Sequence, residues 1–408
     1  MESMVSHKDL QQMKPSHQVI NNKKTNRTSL IVNKCTCFRS SDHGYPTLDE
    51  LDGHGNVDMK SASAHTNHPP THLLVMVNGL IGSAHNWRYA AKQFLKTYPE
   101  DLIVHCSERN SSLLTFNGVD VMGNRLANEV TSVIKRHPGL QKISFIGHSL
   151  GGLVARYAIA KLYTQDSTKL ACQENGDPTN DASNEQCSEH ISSRRIAGLV
   201  PINFITVATP HLGTGGHRQV PMFGGSNTVE KVAHHISWVL GRTGRHLFLT
   251  DKAQGQPPLL LQMVEDREDL KFFSALQSFK RHVLYANAHF DHIVGWSTSS
   301  IRRRNELPQR KRLVRSGKYP HILKGETTTT IKEEGSMKSQ VNSFKTARAS
   351  MEEAMIESLT KISWERIDVS FKGSKQRYFA HNTIQVNTPW MNSDGADIIQ
   401  HLVDNFHL

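Results

Sequence analysis

The chain has 408 residues, of which 37% are hydrophobic, 7% aromatic and 21% charged, with a formal net charge of +11. That length suits two average domains or one large α/β domain with insertions, and no run of about 18 apolar residues is present to make a membrane-spanning helix. The 5 cysteines, an odd number, form no disulfide framework, and Cys35-x-Cys37 lacks a partnering Cys/His pair at zinc-finger spacing.

In chain order, residues 1–70 are polar and show no sustained period, which predicts a disordered leader ahead of a single folded domain over 71–408. A transit peptide to the chloroplast is the rival reading of that leader. Glu2 and Asp9 come early and the stretch is not Arg-rich, so an intracellular, cytoplasmic protein is the expectation. Order begins at Leu73–Val77, an apolar run that Asn78-Gly79 ends, as in a buried strand of a parallel sheet. A helix over Asn86–Tyr98, a strand over Leu102–His105 and a helix over Asn124–Arg136 follow. Next come a strand at Ile143–Ile146, a helix at Leu150–Tyr163, amphipathic from Leu153 on, and strands at Asn203–Ala208, His282–Ala286 and Arg366–Phe371. A last helix over Ala396–Asn405 closes the pattern. Such alternation means a mostly parallel sheet wrapped by helices.

Three segments interrupt it. Residues 164–195 read as a flexible polar loop, and 213–280 as a cap or lid insertion of short helices, with an apolar stripe over Val229–Leu240. Residues 302–348 form a basic insertion, followed by a helix near Lys338–Ile362. Between Ile301 and Ser350 there are thirteen Lys/Arg against four Asp/Glu, so most of the net charge sits there. No stacked aromatics are interleaved with it, as a single-strand nucleic-acid groove requires, so nucleic acid is not an expected partner. Peripheral contact with an anionic membrane is the sharper reading of the insertion, and a solvated surface loop the plainer one.

The chemistry concentrates at Gly147-His148-Ser149-Leu150-Gly151, a G-x-S-x-G set between a strand and a helix. A serine on so tight a turn needs slim neighbours, which Gly147 and Gly151 supply. The helix then aims its N-terminus at a developing oxyanion. A serine needs a base, and the base an orienting acid. Asp291 follows a late strand, and His381 sits in a loop between the last strand and the last helix, the order Ser, Asp, His of an α/β-hydrolase. His292 and His401 are rival bases; Asp266 and Asp269 are rival acids within the cap span. The oxyanion donors are the N–H groups of Leu150 and of Leu80, the latter in the loop Asn78–Gly82. No P-loop, dinucleotide fingerprint or zinc-protease motif is present, so no metal or cofactor is expected.

Beyond the serine motif, the blocks His72–Leu80, His105–Asn110, Gly118–Leu126, Val207–Gly213, Asp291–Arg302 and Ala380–Ile384 together resemble the plant members of the putative serine esterase family. These are lipase-like α/β-hydrolases, and the blocks span 72 to about 402 in one order. The resemblance implies an α/β-hydrolase fold with helices on both faces of the sheet, a Ser149–Asp291–His381 triad and ester substrates, acyl lipids foremost. The alternative is a catalytically weak hydrolase fold serving as a lipid- or membrane-binding module. It is motivated by the basic insertion and by Asn78, where related enzymes carry histidine.

Overall fold

A computed structural model describes residues 47–51, 57–61, 69–166, 193–214, 240–252, 255–325 and 347–408. Its strands are β1 Thr47–Leu51, β2 Val57–Ser61, β3 His72–Val77, β4 Leu102–Cys106, β5 Lys142–His148 and β8 Val200–Val207. They continue as β9 Arg281–Asn287, β10 Leu313–Arg315, β11 Ile322–Gly325 and β12 Glu365–Val369. These make one sheet in the order β1-β2-β4-β3-β5-β8-β9-β12-β11-β10. The strands β6 Tyr163–Asp166 and β7 Ser193–Ile196 form a separate antiparallel ribbon.

The six strands from β4 to β12 run parallel, and each edge is finished by an antiparallel pair. β3 shows why the centre is parallel. All six of its residues are buried, and alternate side chains feed different cores: Leu73, Val75 and Val77 on one face, Leu74 and Met76 on the other. The first face is covered by α2 Val119–Arg136 and α3 Leu150–Leu162, with α6 Phe272–Gln277 and α8 Ala347–Leu359. The second is covered by α1 Arg88–Thr97 and α10 Ala396–Asp404. The remaining helices are α4 Gly241–Phe248, α5 Leu259–Gln262, α7 Trp296–Ser300 and α9 Ala380–Thr383. From β3 the chain passes to β4 on one side and then back to β5 on the other, which opens a crevice at the strands' carboxyl ends. This is the α/β-hydrolase fold.

Several expectations need correction. The span 1–70 contains the hairpin β1–β2, which pairs onto β4 and puts Asp58 into the core. Polar strands that add to a sheet edge through main-chain bonds leave no apolar run to read. α2 starts at Val119 rather than Asn124, because its first N–H groups are capped from a distant segment: Gly118 N–H by Thr243 Oγ1 at 2.9 Å and Val119 N–H by His246 Nδ1 at 3.0 Å. α3 is not amphipathic; apart from Lys161 all its residues are buried, because α2 and α6 flank it.

The span 213–280 is not all cap. Residues from Leu260 to Phe279 pack into the core against α3, and Met263 O accepts a bond from the buried Arg156 at 2.8 Å. Nor is the basic insertion all loop. β10 and β11 belong to it, Arg302 bonds Asp368 at 2.8 Å, and Arg303 bridges Glu306 and Glu353. The loop expected over 164–195 begins and ends in the β6–β7 ribbon, and its middle lies outside the described residues. So do most of Val229–Leu240, residues 338–346, and the four cysteines other than Cys106. Among the described residues no helix is long and apolar enough to cross a membrane.

Candidate active site

Ser149 stands at the carboxyl end of β5 with φ 53° and ψ −127°, a backbone conformation that side chains other than glycine's rarely adopt. The glycines around it are required by close approach. A Cβ on Gly147 would lie 2.5 Å from the nitrogen of Gly152, and one on Gly151 would lie 2.6 Å from the carbonyl oxygen of Asn78. The elbow therefore folds tightly against both α3 and the end of β3. On its other side Gly79 abuts the serine; a Cβ there would come within 2.9 Å of Ser149 Cβ.

His381 opens onto this serine from α9. The Ser149 hydroxyl donates to His381 Nε2 at 2.9 Å, and His381 Nδ1–H donates to Asp291 Oδ2 at 3.0 Å. A carboxylate can only accept, so Asp291 fixes the ring proton on Nδ1 and leaves Nε2 as the acceptor facing the hydroxyl. Asp291 is held in turn: Oδ1 accepts from the N–H groups of Ile293 at 3.0 Å and Val294 at 2.8 Å, and Oδ2 from Asn287 Nδ2 at 2.9 Å. Burial alone would raise its pKa, but His381 and these donors outweigh that and hold the carboxyl below its usual range. Ser149 and His381 remain 7% and 8% exposed, enough for one side of the cluster to meet a ligand.

His148 has a part that the sequence reading missed, since there it served only as an elbow residue. Its Nε2–H donates to the carbonyl oxygen of His381 at 2.7 Å, and the two rings lie 4.8 Å apart. Burial, followed by the neighbouring His381, pushes its pKa down to about 3, so it is neutral and can donate from Nε2. Its partner is a main-chain atom 233 positions away, which no side-chain pattern signals.

The loop after β3 is set by Asn78, whose amide donates to Asn110 O at 2.9 Å and to Gly79 O at 3.2 Å. Gly82 N–H binds the same Gly79 oxygen at 3.1 Å. In a trans peptide the Leu80 N–H points opposite to that pinned carbonyl. Leu150 is the first residue of α3, where helix geometry gives its N–H no intrahelical partner.

Three of the rival residues are engaged elsewhere: His401 Nδ1 accepts from Tyr285 OH at 2.8 Å, Asp266 accepts from Ser274 N–H at 3.0 Å, and Asp269 lies 3.9 Å from Arg267. Among the described residues no group of three or more His, Cys, Asp or Glu is arranged to hold a metal ion.

Residues 67–301, more than half of the chain, match the family described as Putative serine esterase (DUF676). The chain belongs to this family. Within the esterase family's wider surroundings, it is 30% identical over 234 residues to "Putative lipase ROG1" of Saccharomyces cerevisiae, covering 56% of this chain and 28% of that protein. It is 25% identical over 298 residues to "Putative lipase C4A8.10" of Schizosaccharomyces pombe, covering 70% and 33%. The chain therefore spans about a third or less of the length of these relatives. Among solved structures it is similar to the siderophore hydrolase EstB from Aspergillus fumigatus, at 10% identity and a TM-score of 0.43, covering 89% of this chain and 96% of that one. Both curated relatives are from yeasts, which lends the expected plant membership no support.

Proposed function

We propose that this member of the esterase family is a serine hydrolase that cleaves carboxylic esters, with acyl lipids preferred over small soluble esters. The observation that carries the reading is the continuous hydrogen-bonded run from Ser149 Oγ through His381 to Asp291, at 2.9 and 3.0 Å. In this reaction Ser149 Oγ attacks the ester carbonyl as His381 Nε2 takes its proton, and Asp291 stabilises the imidazolium. The N–H groups of Leu80 and Leu150 hold the tetrahedral oxyanion. His381 then protonates the leaving alcohol, and water repeats the cycle on the acyl-enzyme. The lipid preference draws on the lipase names of the relatives. The expected cap role does not extend to Leu247, Leu249 or the part from Leu260 on, which are core, and residues 215–239 lie outside the described residues.

A fluorophosphonate probe tests the reading on the full chain, because it labels only an activated serine. Labelling is expected in the parent and not in Ser149→Ala, with ester turnover in that variant lower by about 10³-fold or more. Equal turnover would overturn the mechanism, and folded parent that stays unlabelled would favour the lipid-binding module.

A further inference from the structure

Four loops surround the serine, and all leave the sheet at its carboxyl ends: those after β3, β4, β9 and β12. They are tied together. Ile81 N–H donates to Thr115 Oγ1 and Ser112 N–H to Gly82 O, which joins the first two. Asn86 bonds Asn387, and the Phe290 and Tyr378 rings lie 6.1 Å apart, which joins the others to them. Of the ten large apolar side chains that stand exposed among the described residues, eight lie on these loops. Trp390 is 80% exposed, Leu113 71% and Ile81 61%, and Ile293, Tyr378 and Phe379 are also more than half exposed. Scattered exposed apolar residues are ordinary, but a ring of them gathered at one mouth marks a surface that is covered in use.

The charges on these loops are mixed, with basic residues ahead: Arg109, Lys372, Lys375 and Arg377 against Glu108, Asp291 and Asp394, the last of which accepts from Ser374. Residues 79–83 and 110–118 carry none. Arg377 lies over the Tyr378 ring at 4.6 Å and near the Phe290 ring at 5.9 Å. Asp291 is spent on His381, Asn287 and two main-chain donors. Tryptophan and tyrosine with apolar neighbours and flanking cations suit the boundary where headgroups meet acyl chains.

We propose that this rim docks the open end of the sheet onto an anionic phospholipid surface, so that the ester is taken from the membrane rather than from solution. The basic span 302–348 adjoins this surface, since Arg315 donates to the main-chain oxygen of Lys372. The purpose of the docking rests on the ester-hydrolase reading, but binding itself does not, so it is measured in Ser149→Ala protein of full length. Sedimentation with phosphatidylcholine vesicles is compared with vesicles containing about 30% phosphatidylserine; each basic residue near such a surface adds roughly fivefold to binding. At least about tenfold tighter binding to the anionic vesicles is expected, weakened by salt. Leu113→Ser combined with Trp390→Ser should lower binding at least about tenfold. In the Ser149 background that double variant should keep turnover of a soluble short-chain ester and the parent's melting temperature. Lys372→Gln with Lys375→Gln should remove the preference for anionic vesicles. Absence of vesicle binding, or undiminished binding by the Leu113/Trp390 variant, overturns the proposal. Failure of the hydrolase reading would appear separately, as absent turnover of the soluble ester with vesicle binding intact.

Discussion

Among the described histidines that bond carboxylates, His105 and His381 differ most in what faces the second ring nitrogen. His105, on β4, is fully buried, with Nδ1 bonded to Asp58 at 2.6 Å and Nε2 to Glu129 at 3.0 Å. Burial alone would discharge it, but the two carboxylates outweigh burial and raise its pKa to about 9. It is a fixed cation inside a network that also includes Arg136, His137 and Ser107. His381 has a carboxylate on Nδ1 only, and its Nε2 faces a hydroxyl at the surface of the crevice. One acid orients an imidazole; a second would keep it protonated and end its use as a base. What separates a structural histidine from a proton acceptor here is therefore the identity of the second partner.

The sharpest way to break this contrast is to remove each ring in turn. His381→Gln should cut ester turnover by about 10³-fold or more while leaving the unfolding midpoint in urea near the parent's. His105→Gln should do the reverse: turnover per folded molecule is kept, and unfolding free energy falls by about 3–5 kcal/mol because Asp58 and Glu129 are left buried with fewer partners. Loss of turnover in well-folded His105→Gln would erase the distinction. A second, smaller effect should appear in the melting temperature against pH. The raised pKa of His105 means its stabilisation is complete below its ordinary value of 6.5 and is lost as pH climbs through about 9. Asp58 and Glu129 are held below their ordinary values, so their contribution is present above those values and is lost in acid. The parent should be most stable in mildly acid solution, and His105→Gln should lack the alkaline decline. The smallest effect concerns His148. His148→Ala should lower kcat about tenfold with KM little changed, as the His381 main chain loses its anchor. His148→Gln, which can still donate, should recover part of the loss.

The sheet's centre was legible because its strands are apolar runs between turns, and the grouping of Ser149, Asp291 and His381 because each occupies a slot that strand order brings to one end of the sheet. The features that stayed hidden are held by partners remote in sequence. Asp58 sits among polar residues and gains its meaning only when β2 pairs with β4. The start of α2 depends on Thr243 and His246, more than a hundred residues later. Segments between Leu260 and Phe279 read as cap because their apolar content could equally cover a pocket or back a helix. Periodicity reports that a face is buried, not what buries it.

The positive φ of Ser149 has a consequence for how such a chain can change. A glycine at position 149 would relieve about 1–3 kcal/mol of backbone strain. Natural selection for robustness alone would thus drift toward losing the hydroxyl, and only continued use of the reaction opposes that drift. In a lineage that came to need the surface-binding rim but not the chemistry, this is the residue expected to disappear first.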